Sequence, residues 1–211
     1  MKKKRIKITP ILIICLLYFI GVILKSGIIS LSFVENGIYQ GWLTLDFYKI
    51  NQGEWWRLFS FVVNPPGLTS MWSILAIIYT YIIGRDIECL IGNRKVLYYY
   101  LLSVFVQLAI AFVFFHLEKR VVWLDLFFWG WTLFPVLAFF APGSRVYLLT
   151  PFSIRIEWLI VIPGMFLLVR FLLGNYTIKI SLIGQIVSCV LFLIISYPWR
   201  KRCGKRTNTL E

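Results

Sequence analysis

Two hydroxyls stand inside long apolar stretches of this chain: Thr132 in Gly130-Trp131-Thr132-Leu133 and Ser181 in Ser181-Leu182-Ile183-Gly184. Such a group attacks an acyl carbon only when an adjacent base takes its proton and donors aimed at the oxyanion stabilise the transition state. The sole histidine, His116, stands beside Glu118, Lys119 and Arg120 and reads as an interfacial polar residue at the outer end of a helix. A base has to reach its nucleophile within about 3 Å, which His116 is not placed to do. Cys15, Cys89, Cys189 and Cys203 have no C-x-x-C or Cys/His spacing, so neither a metal site nor a disulfide framework is indicated, and no cofactor is expected. Asp125, Gln107, Gln185, Arg170 and Lys25 fall in or beside apolar spans, where a polar group is by default a functional candidate. Lys25 and Arg170 can snorkel to an interface, and Asp125 stands about one turn into its helix, near water. Gln107 and Gln185 suit hydrogen bonds between helices, each worth about 0.6–2 kcal/mol.

The elements that must position these groups are membrane helices. Apolar residues make up 60% of the 211 positions, charged residues 15%, and the mean hydropathy is +0.81. A chain of that composition cannot present a normal polar surface to water. Helices are expected at 11–33, 71–83, 96–115, 121–141, 158–173 and 178–197, six spans in one all-α integral membrane domain over 11–198. Basic tails at 1–10 and 199–211 flank it. With the N-terminus in the cytoplasm, fifteen of the 22 Lys and Arg lie inside, which favours cytoplasmic termini at both ends. The basic head and apolar body at the start resemble a signal peptide, but no A-x-A-like cleavage site follows, and a retained first helix is expected. The +13 charge resides largely in these flanks and suits anionic lipid headgroups. Nucleic-acid binding would need a folded basic face or a stacking platform, and none is visible.

Two segments depart from a plain bundle. Residues 34–61 form a long connection in which Phe47, Tyr48, Trp55, Trp56 and Phe59 interleave with Asp46, Lys49, Glu54 and Arg57. That mixture suits the outer interface, where aromatic rings keep one edge apolar and the other wet. The second helix has a strictly apolar part of only 13 residues, 71–83, preceded by Pro65-Pro66, and so is expected to start below the headgroups or to thin the bilayer. Pro135 and Pro163-Gly164 should bend the fourth and fifth helices. No internal repeat is evident, which weighs against a transporter of the usual repeat design.

Trp56-Arg57-Leu58 before the second helix, and Gly84, Glu88 and Gly92 in G-x-x-x-E-x-x-x-G at its inner end, resemble the rhomboid superfamily. Most of the chain can be laid on that family's six-helix core, with the interfacial connection lying between helices one and two. The resemblance implies a catalytic Ser in G-x-S-G at the start of helix four and a His in H-x-x-G-x-x-x-G on helix six. It also implies a His and an Asn on helix two for the oxyanion. Here those helix-two positions are Trp72 and Ala76, and the helix-six His is Ser181, while Gly184 and Ser188 keep the small-residue spacing that lets helices pack closely. Thr132 either occupies the Ser position or lies a turn from it. The stretch 141–158 is similar to segments of bacterial rhomboid-like proteins without the dyad, and derlin-like proteins share a W-R motif without it.

The resemblance therefore implies a pseudoprotease, expected in a bacterial plasma membrane, that binds transmembrane helices of client proteins in quality control or trafficking and does not cut them. Clients would enter laterally between helices two and five. Two alternatives remain open at this level: an intramembrane protease with Thr132 or Ser181 as an unorthodox nucleophile, and a small transporter or channel subunit with a path along Gln107, Asp125 and Gln185.

Overall fold

The computed structural model describes residues 9–28, 34–35, 38–39, 45–63, 70–118, 129–142, 145–147, 153–174 and 176–207. Helix α1 spans Pro10–Ile28, with proline at its first position, where no hydrogen bond is lost, and Thr9 ahead of it accepting from the Leu12 N–H at 3.4 Å. A minimal antiparallel ladder joins β1 (Val34–Glu35) to β2 (Ile38–Tyr39). Two short helices follow, α2 (Phe47–Asn51) and α3 (Arg57–Ser60). Asp46 caps α2, its carboxylate accepting from the N–H groups of Tyr48 at 2.9 Å and Lys49 at 3.3 Å.

The longer helices are α4 (Ser70–Ile91), α5 (Asn93–Glu118), α6 (Trp129–Phe140), α7 (Ile156–Leu173) and α8 (Tyr176–Thr207). A second ladder pairs β3 (Arg145–Tyr147) with β4 (Ser153–Arg155) ahead of α7. The fold is thus all-helical apart from these two small hairpins. Helix α6 packs against α4, α7 and α8, while α5 runs along α8 and also touches α1 and α4.

On α5 and α8 polar side chains join the inward face while large apolar ones line the outward face. Along α5 the inward stripe is Val96, Tyr99, Tyr100, Ser103 and Gln107, and the outward one includes Leu97, Leu101, Phe105 and Phe112. On α8, Ser181, Gln185, Ser188 and Ser196 are buried, while Ile183, Ile186, Val190 and Ile194 are exposed. Among the described residues two helices, Asn93–Leu117 and Ile178–Pro198, are long and apolar enough to cross a membrane. Only 28% and 44% of their most apolar stretches are buried, whereas the core helix of a water-soluble protein would be mostly covered.

Several expected boundaries are corrected. Helices stand at all six expected positions, with the apolar stretches Pro10–Ile23 and Trp129–Phe140 falling in α1 and α6. The second long helix, α4, has 22 residues, not 13, which is about 33 Å at 1.5 Å per residue. It continues because Arg85 and Asp86 lie on its exposed face while Ile83, Gly84, Ile87 and Glu88 stay inside, so charge does not interrupt it. Helix α8 runs across Pro198 to Thr207, making much of the basic tail helical. The connection after α1 is likewise not a plain loop, since it folds into α2 and α3. Pro65-Pro66, Asp125 and the beginning of the expected fourth helix lie outside the described residues, as do the side chains of Lys25, Trp72 and Arg170.

Candidate functional site

At the C-terminal end of α4, each position of G-x-x-x-E-x-x-x-G has a separate mechanical task. A Cβ on Gly84 would come within 2.4 Å of Ile11 Cδ1, so only glycine lets α1 lie this close. One turn on, the Glu88 carboxylate accepts from the Ile11 backbone N–H at 2.8 Å, capping the start of a helix 77 residues away in sequence. Gly92 has φ +87°, the left-handed conformation that ends α4 and lets α5 begin at once. Glu88→Ala should therefore destabilise the protein by about 0.5–2 kcal/mol, the usual worth of a helix cap, with Glu88→Gln losing less because an acceptor remains. Unfolding of the purified variants in detergent measures both.

The W-R motif also proves structural. Arg57 is 2% exposed and its Nε donates to the Glu54 carboxylate three residues earlier. Trp55 and Trp56, just ahead of α3, and Phe59 within it turn outward. Phe47 on α2 holds this segment to α5 by ring contacts with Phe112 at 5.8 Å and Phe115 at 5.9 Å, and Tyr100 donates to the Val62 carbonyl at 3.3 Å.

The two candidate nucleophiles lie in different layers. Thr132 is buried on α6, where its hydroxyl donates to the Trp129 carbonyl at 2.7 Å and also meets the Tyr99 hydroxyl of α5. Cys189 of α8 reaches the Thr132 carbonyl at 3.9 Å. Ser181 stands eight residues before Cys189 on the same helix, about 12 Å along its axis at 1.5 Å per residue. There its carbonyl accepts from Gln107 Nε2 at 2.9 Å. Thr132 and Ser181 cannot form a pair.

The Thr132 hydroxyl meets a phenol and a backbone carbonyl, and no imidazole or carboxylate among the described residues. His116 is exposed at the far end of α5 and packs on Phe112 at 4.4 Å and Phe115 at 5.5 Å. On α4 the side chains facing Gly130 are Tyr79 and Thr80, whose hydroxyl oxygens would lie 2.6 and 2.7 Å from a Cβ placed there. Ala76, half-buried one turn earlier, offers only a methyl group, and Trp72 precedes it by a further turn. Among the described residues no group of three or more His, Cys, Asp or Glu could hold a metal. Gln107 and Gln185 are 0% and 1% exposed, so they border no path open to solvent in this conformation.

Sequence reasoning did not single out Tyr99 or Thr80. Tyr99 is the inward member of Tyr98-Tyr99-Tyr100 that meets Thr132, and the spacing Val96, Tyr99, Ser103, Gln107 marks its stripe. That periodic line of polar residues through an apolar helix was the available signal. Comparison with family models, curated proteins and solved structures yields no match for this chain.

Proposed function

We propose that the chain is an integral membrane protein with a rhomboid-like bundle and no proteolytic activity, which binds transmembrane helices of client proteins. The observation that carries this proposal is the state of the hydroxyls. Thr132 is engaged by Tyr99 and by the Trp129 carbonyl, and Ser181 lies a full layer away. A hydroxyl in that setting has no route for its proton.

The rest of the molecule supports a binding role. Apolar side chains on α4 (Ile74, Leu75, Ile78) and α7 (Val161, Met165, Leu168) face outward on the two helices that flank α6. In a bilayer, helices associate through packing and hydrogen bonds more than through burial of oily surface, so such faces suit a client helix as well as lipid. Both termini lie in the cytoplasm in this arrangement, with the basic flanks against anionic headgroups.

Purified protein exposed to a fluorophosphonate probe, and separately to helical membrane substrates, should show neither labelling nor cleavage. Labelling and cleavage that both vanish in Thr132→Ala or in Ser181→Ala would replace the proposal with an unorthodox protease.

A further inference from the structure

The hairpin between α6 and α7 sets two arginines at one register position. Arg145 opens β3, Arg155 closes β4, and the antiparallel ladder pairs them directly. Partners so placed share one face, with Cα atoms about 4.5–5.5 Å apart. Like charges directly opposite destabilise a ladder, and a two-stranded hairpin has little stability to spare. Arg155 is followed at once by Ile156, the first residue of α7, so it also stands at the positive end of that helix's dipole. Glu157 in the first turn brings one negative charge against two positive ones. The arrangement is short of one anion.

Its place in the fold says what kind. Helices α5 and α8 run antiparallel, with Gln107 donating to the Ser181 carbonyl and Tyr99 against Phe192. Helix α6 runs in the same sense as α8, with Cys189 at the Thr132 carbonyl and Phe140 against Phe192. So α6 ends, and the hairpin begins, at the end of the bundle where α5 starts with Arg94 and Lys95 and α8 enters its basic stretch, Arg200-Lys201-Arg202. From the arginine pair α7 departs as an apolar helix, with Trp158, Val161 and Met165 exposed in succession. A positive head beside an exposed tryptophan and an oily helix face matches an amphiphile better than a free ion.

We propose that Arg145 and Arg155 form a binding site for the phosphate of an anionic phospholipid whose acyl chains lie along the exposed face of α7. Arginine suits this task because its planar fork takes phosphate oxygens in pairs and keeps its charge at all physiological pH. The site is a defined one, apart from the diffuse attraction of the basic tails, and does not depend on client binding.

Lipid photocrosslinking tests it. The full chain is reconstituted in phosphatidylcholine vesicles holding a small fraction of phosphatidylglycerol with a photoreactive acyl chain, or of phosphatidylcholine with the same chain. Crosslinks to residues 156–165 should be at least about fivefold more frequent from the phosphatidylglycerol probe, the worth of about one charge near the membrane surface. In Arg145→Glu that excess should vanish. Opposite charges across the ladder favour the hairpin, so this loss would not be a loss of fold. Arg94→Glu, at the same end of the bundle, should keep the excess. Equal crosslinking from the two probes in the unaltered protein overturns the site, as does an excess that survives Arg145→Glu or falls equally in Arg94→Glu. An excess erased by inorganic phosphate on both sides of the membrane gives the pair to a free phosphate and overturns the lipid assignment. The two probes are compared on one unaltered protein, so that comparison stands even where a variant does not fold.

Discussion

Replacing Trp129 by alanine should cost the protein about 3–5 kcal/mol of stability, the range for emptying a large aromatic site in a packed core. The indole is 0% exposed and fills the space between α5 and α6, its ring centroid 5.9 Å from that of Tyr99 and 5.0 Å from that of Tyr100. Removing it leaves both tyrosines facing a void and frees the first turn of α6, whose Trp129 carbonyl holds the Thr132 hydroxyl. Trp129→Phe keeps a ring in the site and should lose less than half as much. Unfolding of the purified protein by SDS titration measures the series. A loss below about 1 kcal/mol for the alanine variant would show that this site collapses freely and does not anchor α6.

Gly84→Val should be the second most damaging change. The added Cβ meets three atoms of the fully buried Ile11, at 2.4 Å from Cδ1, 2.8 Å from Cγ1 and 3.0 Å from Cγ2. Cδ1 alone could swing away, but Cγ1 and Cγ2 branch from one carbon and cannot both retreat. Overpacking of this kind costs about 1–3 kcal/mol or more, and it also draws the Ile11 N–H away from Glu88. The gain in helix propensity from glycine to β-branched valine, about 0.3 kcal/mol, offsets little of the cost. Coupling distinguishes this from a general loss of stability. Ile11→Ala makes room, so the double variant should be less destabilised than the sum of the single ones, with an interaction of about 0.5–3 kcal/mol. Additive effects would mean that α1 does not rest on Gly84.

What could be read from residue order was what short-range spacing encodes. Gly84, Glu88 and Gly92 follow one another at helical intervals, and the structure gives each a physical reason: close approach, capping and a left-handed stop. Glu88 caps α1, a partner 77 residues away that no local pattern reveals. The end of α4 was misplaced for a related reason. Arg85 and Asp86 look like a boundary in a linear hydropathy profile, yet on a helix they occupy the exposed side while Ile87 and Glu88 continue the buried one.

The hydroxyl layer shows the opposite limit. Thr132 and Ser181 could each be named as candidates, but whether they meet depends on how α8 slides along α6. The contact of Cys189 with the Thr132 carbonyl sets that register and places Ser181 a layer away. Likewise, three successive tyrosines and two nearby tryptophans are equivalent in composition. Only the surrounding helices select Tyr99 and Trp129 for the interior and leave Tyr98 outside.

Client binding is tested most directly by photocrosslinking in living cells. A photoreactive amino acid would be placed at Ile78 on α4 and Met165 on α7, with Phe105 on the outward face of α5 as the lipid-facing control. The account predicts that Ile78 and Met165 capture other membrane proteins, that the crosslinked peptides map within transmembrane segments, and that Phe105 captures far fewer. Capture from Ile78 and Met165 no greater than from Phe105, or crosslinks confined to water-exposed loops, would contradict it.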